Sequence, residues 1–199
     1  RISAGTPLPA VVREALSSSL SGLEWATGIP GSAGGAVVMN AGAYGGDFGS
    51  LASKVRVAAP DGRDWWMDAS EIGFDYRLLV LAVDIDLATG DEKQIRELMG
   101  KRAKEREAKQ PLDVPSAGSA FRRPPGHYVG AMIESLGLKG FRIGGAQVSP
   151  KHAGFIVNSG NAGSRDVEDL LVLIQAKVKD AFDVLLEPEI VIMGEDLPS

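Results

Sequence analysis

Eight glycines fall between Gly28 and Gly49, at positions 28, 31, 34, 35, 42, 45, 46 and 49, set among small apolar residues. A chain this poor in Cβ atoms can form tight turns and let backbone approach backbone, or a ligand, more closely than side chains permit. Ala36-Val37-Val38-Met39 interrupts the run, so it does not read as a flexible linker. The segment Gly31-Ser32-Ala33-Gly34-Gly35 can crowd oriented amide N–H donors around phosphate oxygens. It can equally be a turn packed against a neighbouring strand, and the residues alone leave both readings open.

Around this run the spacing of apolar residues marks out the remaining elements. Thr6-Pro7 can open a helix to about Ser19, with Leu8, Val11, Val12, Ala15 and Leu16 at helical period. Val55–Ala59 and Asp64–Met67, joined through Asp61-Gly62, predict a hairpin, and Leu78–Leu87 a buried strand. A charged helix is expected over Glu92–Lys109. Gln110–Ser119 is a proline-containing connector and divides the chain into residues 1–109 and 110–199. Beyond it the pattern predicts a helix over Tyr128–Leu136, strands over Arg142–Val148, Phe155–Asn158 and Ile190–Met193, and an amphipathic helix over Asp166–Phe182. The second part therefore reads as a small α+β domain.

Composition narrows the chemistry. With 44% apolar and 24% charged side chains in 199 residues, the chain can bury one or two cores. A net charge of -5 gives no general basic field for a nucleic acid, though a local basic pocket can still hold a small polyanion. No apolar run approaches the roughly 20 residues needed to cross a bilayer, so a cytoplasmic protein without membrane partners is expected. The absence of cysteine removes thiolate nucleophiles and thiolate metal sites, and redox chemistry then needs a bound cofactor. With His127 and His152 as the two histidines, no histidine-rich metal centre is expected.

Several residues have two readings each. Ser119, between Gly118 and the Ala120-Phe121 pair, can donate a proton in a dry site or simply bond its own turn. Glu189, after Pro188 and before an apolar stretch, is either a working carboxylate or solvated surface. Arg77 can pair with a substrate carboxylate or with a surface acid. His152 is a ligand contact or an exposed loop residue.

The order in which the motifs occur adds a resemblance. Gly28-Ile29-Pro30-Gly31-Ser32-Ala33-Gly34-Gly35-Ala36 is followed by Met39-Asn40-Ala41-Gly42-Ala43-Tyr44-Gly45 and Tyr76-Arg77. Then come Gly118-Ser119-Ala120-Phe121, Lys139-Gly140, Ile143-Gly144-Gly145-Ala146-Gln147-Val148-Ser149, Lys151-His152-Ala153 and Leu186-Glu187-Pro188-Glu189. Nearly the whole chain resembles the UDP-N-acetylenolpyruvoylglucosamine reductase (MurB) family, and the direct connection from Phe121 to Tyr128 resembles its shorter subtype.

The resemblance implies an α+β architecture, with the second lobe of a vanillyl-alcohol-oxidase-type FAD-binding domain followed by a small UDP-sugar domain. It implies FAD contacts at Ile29, Pro30, Gly31, Ser32, Gly34, Gly35, Asn40, Ala43, Tyr44 and Gly45. Ser119 would be the general acid, Arg77 and Glu189 would polarise and stabilise the substrate's enol, and Lys139, His152 and Arg123 would contact the substrate. NADPH is the implied hydride source, UDP-N-acetylglucosamine enolpyruvate the implied substrate, and a monomer the expected state.

Three departures carry expectations of their own. Relatives begin with a lobe bearing Asn-Thr-x-x-x-Gly-Gly, and nothing before Ile2 supplies it, so a missing first lobe is expected. Arg77 runs straight into Leu78-Leu79-Val80, where relatives carry a serine and a short polar segment, which points to a deletion or an omitted loop. Val191 stands where relatives often have arginine. A non-catalytic UDP-sugar-binding remnant, or an inactive fragment of the reductase, is the alternative; a flavin oxidase of the same FAD-binding superfamily leaves the C-terminal motifs unexplained.

Overall fold

A computed structural model describes residues 1–72 and 79–193. The chain divides into two compact units, Arg1–Arg106 and Glu107–Ser199. The division lies inside a helix, slightly ahead of the connector expected at Gln110.

The first unit contains β1 (Ile2–Ser3), α1 (Leu8–Ser17), β2 (Leu20–Ser21), α2 (Ala33–Val38), β3 (Gly42–Ala43), β4 (Gly46–Asp47), β5 (Ala52–Ala58), β6 (Asp64–Asp68), β7 (Leu79–Ile85), β8 (Ala88–Thr89) and α3 (Glu92–Lys109), which runs into the second unit. Its main sheet is antiparallel in the order β1-β7-β5-β6. Alternation along β5 buries Val55 and Val57 completely. Leu8, Val11, Val12 and Ala15 of α1 are also buried, as helical spacing dictates, and join the same core with Val37 and Phe48. The expected hairpin forms as β5–β6, pairing Val55 with Met67 and Val57 with Trp65. The Ala33–Val38 helix was not foreseen. Ser32 starts it as N-cap, its Oγ accepting from Gly35 N at 3.2 Å, which offsets the poor helix propensity of two glycines.

The second unit carries β9 (Ser116–Ser119), α4 (Val129–Ser135), β10 (Arg142–Ile143), β11 (Ala146–Val148), β12 (Phe155–Asn158) and α5 (Ser164–Phe182). Its antiparallel sheet has the order β10-β11-β12-β9. Leu170, Leu171, Ile174 and Val178 of α5 are buried, each contributing about 2 kcal/mol of transfer free energy, whereas Phe182 at the helix end remains 38% exposed. The first turn of α5 is anchored by Asp166, whose Oδ2 accepts from Gly163 N at 3.1 Å and Gly145 N at 3.0 Å.

Two expected strands differ. Arg142–Val148 is not one strand: Ile143 pairs with Ala146 across a two-residue Gly144-Gly145 turn, giving the β10–β11 hairpin. Ile190–Met193 forms no strand. Its alternation is real, with Ile190 and Ile192 packed on the core and Val191 and Met193 exposed, but among the described residues no ladder pairs with it beyond the bridge at Pro188. Ser116–Ser119, expected to be connector, pairs with β12 instead.

Candidate active site

In the second unit a cleft of about 520 Å³ is lined by Ser119, Phe121, Arg123, Tyr128, Glu134, Lys151, His152 and Glu189, among others. Backbone pairing brings its two ends of sequence together. Phe121 bridges Pro188, Arg122 N donates to Glu187 O at 2.9 Å, and Glu189 N donates to Ala120 O at 2.9 Å. Glu189 is thereby held beside the segment that carries Ser119, although the two are far apart in sequence. Phe121 is almost wholly buried and anchors this pairing in the core.

Ser119, an exposed residue, ends β9 opposite Phe155, and its Oγ donates to Phe121 O at 3.1 Å in a part-buried hydrogen bond. Redirecting that proton forfeits one neutral hydrogen bond, on the order of 1 kcal/mol. Glu189 is half-buried, and burial raises its carboxyl above the ordinary glutamate range, with Arg122 partly opposing the shift. The carboxyl is thus better able to hold a proton than an exposed glutamate.

Lys151, His152, Ala153 and Gly154 also line the cleft, on a turn pinned by the fully buried Ser149. Its Oγ accepts from Lys151 N at 3.1 Å and His152 N at 3.2 Å. Gly154 N donates to His152 Nδ1 at 3.1 Å, so the neutral ring carries its proton on Nε2. Burial holds the imidazole below its ordinary value; among the other influences, Lys139 pushes it down as well and Glu134 opposes. Phe155 meets the ring edge-on, with centroids 5.0 Å apart. Lys151 Nζ donates to Glu107 O at 2.6 Å.

At another edge the Arg123 guanidinium stacks 4.0 Å from the Tyr128 ring centroid, and its Nε donates to His127 O at 3.2 Å. Lys139 does not line the cleft. Its Nζ pairs with Glu134 at 2.8 Å, and Glu134 does line it. The structure therefore brings Ser119, Glu189, His152 and Arg123 together, with Lys139 one ion pair away, while Arg77 lies outside the described residues. Tyr128, Lys151 and Glu134 were not singled out from sequence. Lys151 adjoins His152, and Glu134 lies one turn after Gly130 on α4, so helical spacing could have found it.

The glycine run of the first unit divides into packing and open positions. A Cβ on Gly34 would sit 2.7 Å from Ala4 Cβ, and one on Gly46 2.4 Å from Trp25 Cδ1. These two glycines are needed for close approach. Gly35 is exposed on α2, Ile29 is half-buried and Pro30 is exposed. Tyr44 and Gly45 form the two-residue turn between β3 and β4, both at positive φ. Asn40 Oδ1 accepts from Gly49 N at 2.8 Å and so ties the run to its own end. A second cleft, about 760 Å³, is lined by Arg1, Thr6, Val11, Glu14, Leu23 and Leu87 among others, and by none of the expected flavin contacts.

Among the described residues, no group of three or more acidic or histidine side chains is placed to hold a metal ion, and no helix is long and apolar enough to cross a membrane.

Comparison with known proteins gives two family matches. Residues 1–67 match the FAD binding domain family, and residues 110–193 match the UDP-N-acetylenolpyruvoylglucosamine reductase C-terminal domain. The UDP-N-acetylenolpyruvoylglucosamine reductase of Syntrophomonas wolfei is 48% identical over 97% of this chain and 67% of its own length. That of Streptococcus pneumoniae is 45% identical over 98% of this chain and 64% of its own length. The chain thus spans about two thirds of the length of the curated relatives it matches. The crystal structure of UDP-N-acetylenolpyruvylglucosamine reductase (MurB) from Thermus caldophilus superposes with a TM-score of 0.80 at 38% identity, covering 94% of this chain and 70% of that one.

The residues of the first unit fit a flavin cofactor. Thr27 Oγ1 is buried beside the glycine run with no hydrogen-bond partner among the described residues. Gly31 and Gly45 leave open space where a Cβ would project, and within the same run the Met39 and Tyr44 side chains are exposed. A planar ring or a phosphate can approach this backbone without displacing a side chain.

Proposed function

We propose that this chain, which belongs to the UDP-N-acetylenolpyruvoylglucosamine reductase family, carries the NADPH-dependent reduction of UDP-N-acetylglucosamine enolpyruvate to UDP-N-acetylmuramate, as a cytoplasmic monomer. The observation that carries this reading is the convergence of Ser119, Glu189, His152 and Arg123 on one cleft of the second unit.

Bound FAD would supply the two-electron hydride transfer from NADPH to the enolpyruvyl double bond. Ile29–Ser32, Gly34, Gly35, Asn40 and Ala43–Gly45 are the residues we assign to holding it.

The substrate is an enol ether beside a carboxylate. Adding hydride to its methylene carbon leaves an electron pair on the neighbouring carbon, spread into the carboxylate as enolate charge. Ser119 Oγ gives its proton to that carbon. A serine hydroxyl is a weak acid, and it serves here because the carbon it protonates is very basic and close alignment replaces acidity. Glu189, raised by burial, keeps a proton or hydrogen bond on the enolate oxygens as charge develops. Arg77 is assigned to the same carboxylate, in the bidentate geometry that a guanidinium offers. Arg123, Lys139 and His152 are assigned to the nucleotide diphosphate, where two cations and an imidazole N–H match phosphate oxygens.

The test separates two half-reactions by stopped-flow absorbance. In Ser119→Ala, flavin reduction by NADPH stays at the wild-type rate, while reoxidation by the enolpyruvyl substrate slows by a factor on the order of 10² to 10⁴. Equal slowing of both halves would remove Ser119 from the proton-transfer role.

A further inference from the structure

The helix α3 buries two side chains, Ile95 and, unusually, Arg106, which is 8% exposed. Removing a guanidinium from water is costly, and an aliphatic chain of similar length would fill the same volume without that cost. The Arg106 guanidinium is held instead by polar contacts, one of them at the glycine run.

The polar end of Arg106 meets the glycine run. Its Nε donates to Thr27 O at 3.2 Å, and a Cβ placed on Gly28 would lie 3.0 Å from Arg106 Cδ. Gly28 has φ +78, so the turn leading into Ile29 and Pro30 bends around the arginine stem in a conformation that other residues resist. One turn earlier on the same helix, the Arg102 guanidinium lies 4.1 Å from the Tyr44 ring centroid. Tyr44 OH donates back to Arg102 O at 3.4 Å, and Glu105 steadies Arg102 through an ion pair at 3.1 Å. Tyr44 itself sits at φ 54, a strained position for a non-glycine residue that persists where its surroundings hold it.

We propose that Arg102 and Arg106 are positioning residues for the cofactor: spaced i and i+4 on α3, they clamp Tyr44–Gly45 and Thr27–Gly31, the two lips of the flavin cradle, at a fixed separation. This rests on the flavin assignment made above. A cradle fixed beforehand spares the ligand the cost of ordering two loops, so the clamp acts on affinity without touching FAD. Residues at positions i and i+4 face the same side of a helix, which is why one element can reach both lips.

The test compares the purified protein with Arg106→Met, Arg106→Lys and Arg102→Ala. FAD dissociation constants come from flavin fluorescence quenching, and melting temperatures are measured without FAD. Arg106→Met is expected to weaken FAD about tenfold, the scale of a lost charged hydrogen bond. Arg106→Lys, which keeps charge and donor, is expected to recover most of that loss. Arg102→Ala is expected to weaken FAD about threefold, the scale of an exposed cation–π contact. Should Arg106→Met not fold, Arg102→Ala decides: weakened FAD supports the clamp and wild-type affinity overturns it. Variants that melt lower yet bind FAD as tightly as wild type give the arginines a purely structural role and overturn the proposal. A wild-type protein that binds no FAD overturns both the clamp and the flavin assignment beneath it.

Discussion

Replacing Gly46 by alanine should destabilise the first unit sharply, while replacing Gly35, eleven positions earlier in the same glycine run, should not. The added Cβ at position 46 would lie 2.4, 2.7 and 2.9 Å from Cδ1, Cγ and Nε1 of Trp25. Trp25 is 7% exposed, and its ring meets fully buried Phe48 edge-on at 5.8 Å and 89°. The indole cannot retreat without giving up that contact, itself worth about 0.5–1.5 kcal/mol. Overpacking a closed core costs about 1–3 kcal/mol, and the rigidity of the ring pair places Gly46→Ala near the top of that range. For a protein of this size this corresponds to a fall in melting temperature of about 6–10 °C. A Cβ on Gly35 would meet Ser32 Oγ at an unstrained 3.4 Å, and position 35 is helical. Gly35→Ala should be neutral or stabilising by up to about 1 kcal/mol. All three tryptophans, Trp25, Trp65 and Trp66, lie in the first unit, so urea unfolding followed by intrinsic fluorescence reports on that unit. If the Trp25 ring is what the new Cβ strikes, Trp25→Leu absorbs part of the Gly46→Ala cost in the double variant. A Gly46→Ala loss below about 0.5 kcal/mol, or a loss as large beside Leu as beside Trp, would refute the reasoning, since the stated overpacking cost starts near 1 kcal/mol.

Two further outcomes follow from the cleft. Burial raises Glu189 in the folded state, so the native protein keeps a proton that the unfolded chain releases over the window from the ordinary glutamate range up to the raised value. Wild type therefore loses stability as pH rises through that window and Glu189→Gln does not; urea titrations should show the variant's relative advantage at neutral pH shrinking as pH falls below the ordinary glutamate range, and a pH-independent difference would exclude this account. Lys139 and Glu134 form an ion pair in which the glutamate is well exposed, a type worth less than about 1 kcal/mol. Lys139→Met should leave the melting temperature nearly unchanged and raise KM for the UDP-sugar, with flavin reduction by NADPH unaffected; an unchanged KM would detach Lys139 from substrate binding.

How far the residues alone reach can be judged from particular elements. The period of Leu8, Val11, Val12 and Ala15 and that of Leu170, Leu171, Ile174 and Val178 specified α1 and α5, because a buried face leaves a regular trace. The short α2 left no such trace, since glycine propensity argues against a helix and the cap at Ser32 decides otherwise. Gly144-Gly145 was a visible turn signal, and reading through it turned a hairpin into a single strand. Ile190–Met193 shows the reverse failure: alternation predicts which side chains are buried, and hydrogen bonding needs a partner that sequence does not display. Ser119, Glu189, His152 and Arg123, which line the cleft, were expected from the family resemblance, while the backbone pairing of Ala120 with Glu189 that helps gather them is a long-range contact without a local signature. Arg106 was missed because nothing in a charged helix marks which arginine turns inward.

The central claim is tested most directly by the visible absorbance spectrum of the purified protein supplied with FAD and desalted. The account predicts a retained flavin band that bleaches with NADPH under anaerobic conditions and returns when UDP-N-acetylglucosamine enolpyruvate is added, with UDP-N-acetylmuramate formed in equal amount. A bleached band that the enolpyruvyl substrate leaves unchanged, or a protein that retains no flavin, would contradict it.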